Sequence, residues 1–294
     1  MTSPPSSDEP TGLALYDAAA QDAAATVISK YSTSFALACR LLGPRPRPHV
    51  RNVYALVRVA DEVVDGPAVA AGLPPDAIRE VLDELESETL RAIERGFSAN
   101  LVVHAFALTA RECGIGPDLV TPFFASMRTD LGEKQHDDAS HDRYVYGSAE
   151  VVGLMCLQVF VNAGRVAPVE PDPALIDGAR RLGAAFQDVN FLRDLDHDAS
   201  ALGRDYLGLA DGTRSRDAVL DRIDADLAAA AAAIPGLPAD CRRAVTAAHD
   251  LFAELSVRLR ADDGGTGRVR VPDAVKARLA ARAWFGFAPR EARA

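Results

Sequence analysis

The chain is predicted to be all-helical, on three observations. Apolar residues recur at helical spacing, as in Ile78, Val81, Leu82 and Leu85, in Val219, Leu220, Ile223 and Leu227, and in Ala248, Leu251, Phe252, Leu255 and Leu259. Alanine is abundant, whereas strand-type alternation of β-branched residues is scarce. Pro- and Gly-rich breaks at 66–75, 164–173, 234–238 and 262–267 are spaced as helix connections, and none has the length of a domain linker. No internal repeat of about 20–50 residues is present. The expectation is one domain over 13–294, of roughly eight to twelve helices, behind a disordered tail at 1–12.

Composition narrows the function. Of 294 residues, 48% are hydrophobic and 25% charged, which fits an ordinary globular protein with a large core. A net charge of −10 argues against nucleic acid, which needs a basic footprint, and against electrostatic docking on an anionic leaflet. Cys39, Cys113, Cys156 and Cys241 are widely spaced, with no zinc-type pairing, and read as buried free thiols in a reducing cytoplasm. The opening MTSPPSSDEP lacks the basic and apolar regions of a signal peptide. No uninterrupted apolar run approaches the ~20 residues of a membrane span. A soluble, cytoplasmic chain is expected.

The first informative element is Asn52–Asp65, NVYALVRVADEVVD. On a helix, Tyr54, Arg58, Asp61 and Asp65 fall at i, i+4, i+7 and i+11, a single polar stripe among Val, Ala and Leu. A surface helix has a wide polar face, so this one is expected to be buried with its stripe turned towards an internal cavity. A second element, Leu182–Asp198, repeats the pattern: Gln187, Asn190, Asp194 and Asp198 at i, i+3, i+7 and i+11, with Arg193 beside them. Acids four apart also occur at Glu80/Glu84, Glu84/Glu88 and Asp138/Asp142, as on any solvated helix. Apolar flanks, and the Arg, Tyr and carboxamide on the same stripes, set these two apart.

Two carboxylates about 6 Å apart at an effective dielectric near 20 repel by roughly 3 kcal/mol. Four converging on one cavity therefore call for a cation. Hard oxygen donors suit Mg²⁺, with Mn²⁺ as a substitute, bridging carboxylate to phosphate oxygens. Arg58 and Arg193 are suited to a forked grip on a diphosphate. Acid pairs facing each other across an apolar cavity fit an enzyme that ionises an allylic diphosphate.

Other segments read more plainly. EKQHDDASHDRY (133–144) matches no metal spacing and is expected to be a solvated loop. VVGLMCLQVFV (151–161) is core and pocket wall alike. Arg268, Arg270 and Lys276 bind diphosphate or are simply solvated, and Trp284 reads as packing near the C-terminus.

These residues resemble the squalene/phytoene synthase family from about residue 31 to 285. YSTSFALACRLL (31–42) is similar to the family's opening helix, and RNVYALVRVADEVVD (51–65) to its first Asp-rich motif. YVYGSAEVVGLM (144–155) resembles the helix lining the prenyl pocket, AFQDVNFLRDLDHD (185–198) the second Asp-rich motif, and GRDYLGL (203–209) the Arg-x-Tyr segment. The resemblance implies the isoprenoid-synthase helical fold with a central hydrophobic cavity. It implies Asp61, Asp65, Asn190, Asp194 and Asp198 as Mg²⁺-diphosphate ligands, with Arg58, Arg193, Tyr54, Gln187 and Tyr144 in catalysis. Ser32, Ser34, Arg204, Tyr206 and Gly153 would contact substrate.

The implied reaction is head-to-head condensation of two geranylgeranyl diphosphates through a cyclopropyl-carbinyl diphosphate. The terminating base is Tyr54, Tyr144 or released diphosphate. The alternatives are a squalene or dehydrosqualene type using farnesyl diphosphate, and a single-substrate terpene cyclase. A non-catalytic assembly protein is the rival from another class, opposed by the intact acid motifs. The lack of a C-terminal membrane anchor leans towards the bacterial phytoene-forming type, for which NADPH is not expected. No obligate protein partner is implied, and an apolar patch near the channel mouth should allow transient contact with a membrane surface. The chain departs from the family at Tyr31-Ser32-Thr33, where many members have His-Ser-Lys. Its Ala149-Glu150-Val151-Val152-Gly153 replaces Ala-Gly-Thr-Val-Gly. Glu150 and Val151 beside a prenyl tunnel would change its shape.

Overall fold

A computed structural model describes residues 12–132, 138–197, 206–209, 214–262 and 269–290, without the side chains of Thr33, Ser34, Asp138, Asp196 and His197. The tail assigned to 1–12 (but for Gly12), the Ser34 side chain, Asp198, Arg204 and Arg268 thus lie outside the described residues.

The elements in order are α1 (Leu13–Tyr31), α2 (Thr33–Arg40), α3 (Arg47–Val64), α4 (Pro67–Ala70), α5 (Pro75–Arg95), α6 (Leu101–Cys113) and α7 (Pro117–Thr129). They continue as α8 (Asp138–Val145), a π-turn (Tyr146–Glu150), α9 (Val151–Asn162), α10 (Pro173–His197), α11 (Arg216–Ala233), α12 (Ala239–Arg260) and α13 (Asp273–Trp284). Thirteen α-helices among the described residues exceed the expected eight to twelve for local reasons. The 66–75 break hides the four-residue α4. Ser32, in extended backbone, ends α1 and caps α2 by accepting from the Phe35 N–H at 3.0 Å.

The ends are set by local chemistry. Asn100 Oδ1 accepts from the N–H groups of Val102 and Val103 at 3.0 and 3.4 Å, starting α6. Gly96 and Gly114, at φ 78° and 75°, end α5 and α6 in the left-handed conformation that other residues resist.

Two apolar clusters form the interior. One joins α3, α5, α6, α7 and α9 through Leu56, Leu82, Phe106, Phe123, Phe124 and Met155. The other joins α8, α10, α11 and α12 through Val189, Leu192, Leu220, Ile223, Leu227 and Phe252. Helix α9 packs against both α3 and α10 and so lies between the two acid-bearing helices.

Residues Ala139–Asn162 run as 24 residues of continuous helix, long and apolar enough by length and composition to cross a membrane. This differs from the expectation that no such stretch exists, because α8, the π-turn and α9 join without a break. Its Val145, Val151, Met155, Leu157 and Val159 are buried inside the protein, as in a core helix.

The crossing of this helix with α10 depends on two glycines. A Cβ on Gly153 would lie 2.5 Å from the Ala179 carbonyl oxygen, and one on Gly183 would lie 2.6 Å from that of Ala149. The backbones meet directly. The 133–144 segment also differs from a solvated loop. Residues 133–137 lie outside the described set, but from Asp138 the chain is helical, with His141 and Tyr144 buried. Their alternation with Asp and Arg hid a buried face.

Candidate active site

Helix α3 carries the first acid stripe. Val53, Leu56, Ala60 and Val64 are buried in the core, while Tyr54, Arg58 and Asp61 are half-buried on the other side. Arg58 Nη1 donates to Asp61 Oδ2 at 2.8 Å, and its Nη2 pairs with Glu62. The guanidinium also lies over the Tyr31 ring, 4.8 Å from its centroid. Burial pushes the Tyr54 hydroxyl above the usual phenol range, opposed by the Arg58 charge and a hydrogen bond with Ser32. Tyr31, Ser32, Tyr54, Arg58 and Asp61 thus form one wall. Asp65 is the exposed C-cap, its N–H bonded to the Asp61 carbonyl at 2.9 Å. A carboxylate there opposes the helix dipole, which a cation would offset.

Helix α10 carries the second. Gln187, Asn190, Arg193 and Asp194 are half-buried, while Ala185, Asp188, Val189 and Leu192 are buried behind them. Arg193 forks onto the neighbouring carboxylate, Nε to Asp194 Oδ1 at 3.1 Å and Nη2 to Oδ2 at 2.7 Å. Each acid stripe is therefore matched by an arginine of the same helix.

Phe35 of α2 connects the two walls. Its ring centroid is 6.2 Å from each of Tyr54 on α3, Phe186 on α10 and Phe252 on α12, and Phe186 and Phe252 stack at 3.8 Å. Val57, Cys156 and Phe160 are half-buried nearby in the bundle. Cys156 keeps accessible surface, yet burial pushes its thiol to about 12.

The remaining expected residues are placed as follows. Tyr144 and Tyr206 are buried and share one carboxylate, Asp130, which sequence reasoning missed. Gly153 stands at the α9–α10 crossing, where a Cβ would meet the Ala179 carbonyl. Glu150 turns towards α10, accepting from Arg180 Nε at 2.6 Å, and Val151 is fully buried in the first core cluster. The helix thus directs the Glu150 side chain to an ion pair across the α10 crossing and packs Val151 into the core. One signal could have exposed Asp130: it follows Thr129 at the C-terminal end of α7, where the dipole disfavours an acid.

Asp61 and Asp194 present carboxylate oxygen, Asn190 amide oxygen, and no soft ligand accompanies them, so the donor set fits a hard divalent cation. Among the described residues no three His, Cys, Asp or Glu side chains gather closely enough to hold a metal ion. With the acids on separate helices, a cation would take one or two carboxylates and complete its shell from phosphate and water.

An all-helical bundle with an arginine-matched acid stripe on either side of an apolar interior defines the isoprenoid-synthase class. The squalene/phytoene synthase family model matches residues 28–214, and the chain belongs to that family, a family of prenyltransferase-type enzymes. It is 30% identical over 267 residues to a phytoene synthase of Pseudescherichia vulneris, covering 83% of each chain. It is 28% identical over 274 residues to a 15-cis-phytoene synthase of a Paracoccus species, covering 86% of each. A dehydrosqualene synthase crystal structure superposes with a TM-score of 0.74 at 22% identity, over 92% of this chain and 96% of that one. A squalene synthase from Alicyclobacillus acidocaldarius gives 0.70 at 19%, over 84% and 95%. At these identities the two structures speak for the fold.

Proposed function

We propose that the protein condenses two geranylgeranyl diphosphates head to head to phytoene. The observation that carries the reading is the pairing of an acid stripe with an arginine on each of two helices, Arg58 with Asp61 and Arg193 with Asp194. The phytoene synthases among its relatives favour this product.

Asp61, Asp65, Asn190, Asp194 and Asp198 would hold Mg²⁺, which would offset the charge that develops on the leaving diphosphate. Arg58 and Arg193 grip the diphosphate, each exchanging its present carboxylate for phosphate oxygens. The allylic C–O bond of the first substrate breaks, and the diphosphate leaves with the electron pair. The double bond of the second substrate attacks, one proton is lost, and a cyclopropyl-carbinyl diphosphate results. Its own ionisation, rearrangement and loss of a further proton give the hydrocarbon, so no reductant is consumed and NADPH is not required. Tyr54 and Gln187 line the reacting end. Val57, Phe160 and Phe186 keep water from the cations. Ser32 holds Tyr54, while Arg204 belongs to substrate binding through its motif.

The test is product analysis: the purified protein with geranylgeranyl diphosphate and Mg²⁺, with and without NADPH, the hexane extract read by mass spectrometry. Phytoene formed equally in both is the expected result. Turnover of farnesyl diphosphate alone, or a cyclised product from one donor, would overturn the substrate and product assignment.

The protein works in the cytoplasm at the surface of a membrane, which receives the apolar product. Trp284, Phe285 and Phe287 are exposed at the end of α13, and Arg243 and Arg282 lie 5.2 Å from the Trp284 and Phe287 ring centroids. Aromatic rings flanked by arginine suit the headgroup level. One helical turn away, Ala247, Ala280 and Leu279 line an apolar crevice of about 30 Å³ that reaches Phe35 and Phe252 of the site. Alanine at 284, 285 and 287 together is expected to cut vesicle co-sedimentation by about tenfold, little affected by salt. Full activity on liposome-borne substrate with no co-sedimentation at any salt concentration would sink this surface.

A further inference from the structure

Outside both acid motifs, one buried carboxylate joins two other motif segments. Asp130 Oδ2 accepts from the Tyr144 hydroxyl at 2.9 Å, and Oδ1 accepts from the Tyr206 hydroxyl at 2.8 Å. The two phenols come from chain positions 14 and 76 residues away, and all three residues are at most 8% exposed.

Tyr144 is held at both ends by α7 and its cap. The Ser126 hydroxyl donates to the Tyr144 carbonyl at 2.9 Å while Asp130 takes its phenol. Tyr144 also stands two residues before the π-turn, a local widening of the helix common beside functional sites. Gly147 within that turn lies against Ser126 and the Pro122 carbonyl, leaving no space for a side chain.

Tyr206 is equally constrained. Its carbonyl accepts from His141 Nδ1 at 2.7 Å, which requires a hydrogen on that nitrogen. Its ring stacks on Phe191 at 4.3 Å and 11°, and Tyr144 lies 5.1 Å from it. Phe191 follows Asn190 on α10. The clamp is thus attached to the back of the second acid helix.

We propose that Asp130 is a positioning residue of the condensation: shared by two phenols, it fixes Tyr144 and couples it through Tyr206 and Phe191 to the helix that carries Asn190 and Asp194. This rests on the reading of Tyr144 as part of the reaction centre. Independent of it, burial and the nearby Asp130 charge hold the Tyr144 phenol well above its ordinary range. Tyr144 therefore stays protonated and aimed at Asp130, its ring packed against those of Tyr206 and Phe191.

The test uses four full-length proteins: wild type, Asp130→Asn, Tyr144→Phe and the double variant. Each is assayed for hydrocarbon formation from geranylgeranyl diphosphate and titrated to alkaline pH by tyrosinate absorbance. The amide matches the carboxylate in size but accepts from only one phenol while presenting N–H to the other. Asp130→Asn is expected to keep its melting temperature within a few degrees and to lose about 100-fold in kcat, with KM changed far less. The double variant should lose no more than Tyr144→Phe alone, because Asp130 acts through that phenol. With the negative charge gone, one phenol should ionise at lower pH, and this component should be missing from the double variant.

Wild-type kcat in Asp130→Asn, or losses that multiply in the double variant, would overturn the proposal. Should Asp130→Asn fail to fold, Tyr206→Phe opens the clamp from its other end and is read by the same cycle with Tyr144→Phe. If the wild type forms no hydrocarbon from any prenyl diphosphate, the proposed function has failed, and the absorbance titration alone then decides whether Asp130 holds Tyr144.

Discussion

Asp61→Ala and Asp194→Ala are each expected to lower hydrocarbon formation by about 10³-fold while leaving the fold intact, as loss of preorganised charge at a developing anion does. Both side chains are only partly covered, 35% and 22% exposed, so truncation opens no core cavity. Arg58 keeps Glu62 when Asp61 is removed, and Arg193 is 21% exposed and can reach water. Half-exposed ion pairs of this kind contribute about 1 kcal/mol or less to stability. The losses should therefore appear in kcat and in the Mg²⁺ concentration needed for half-activity, with the melting temperature nearly constant. The double variant should be little worse than either single one, since the two acids serve one departing diphosphate. Retention of a tenth of wild-type activity by either single variant would remove that residue from the metal site.

Gly183→Val is expected to act in the opposite way, on folding rather than on chemistry. Its Cβ would stand 2.6 Å from the Ala149 carbonyl oxygen, 3.0 Å from that carbonyl carbon and 3.1 Å from the Glu150 Cα. All three are backbone atoms of the π-turn, so no flexible side chain yields to the intruder. Overpacking of this kind costs about 3 kcal/mol, which for a chain of this size lowers Tm by roughly 5 °C. Gly153→Val, which meets the Ala179 carbonyl across the same crossing, should behave alike. A thermal melt of Gly183→Val within 2 °C of wild type would show that α10 moves away freely, and that the crossing does not set the separation of the acid helices.

Much of the site was legible because it is written at helical spacing. Tyr54, Arg58 and Asp61 on α3, and Gln187, Asn190 and Asp194 on α10, are half-buried on one side of helices whose other faces are core. The i, i+3, i+4, i+7 rule carries that information within a single element. Helix breaks at Pro and Gly were legible for a similar reason, since backbone restriction is local.

What the sequence determined by itself is thus the helical class, the two acid stripes and the family. Tertiary structure alone decided which residues meet across elements. Asp130 is an unremarked acid in MRTDLGEK until Tyr144 and Tyr206 arrive from 14 and 76 residues away to occupy its two oxygens. Likewise, only the fold shows that Glu150 pairs with Arg180 and that Gly153 meets the backbone of Ala179 on α10. Periodicity specifies the face on which a side chain stands, but the element that covers that face is chosen by packing among helices distant in sequence.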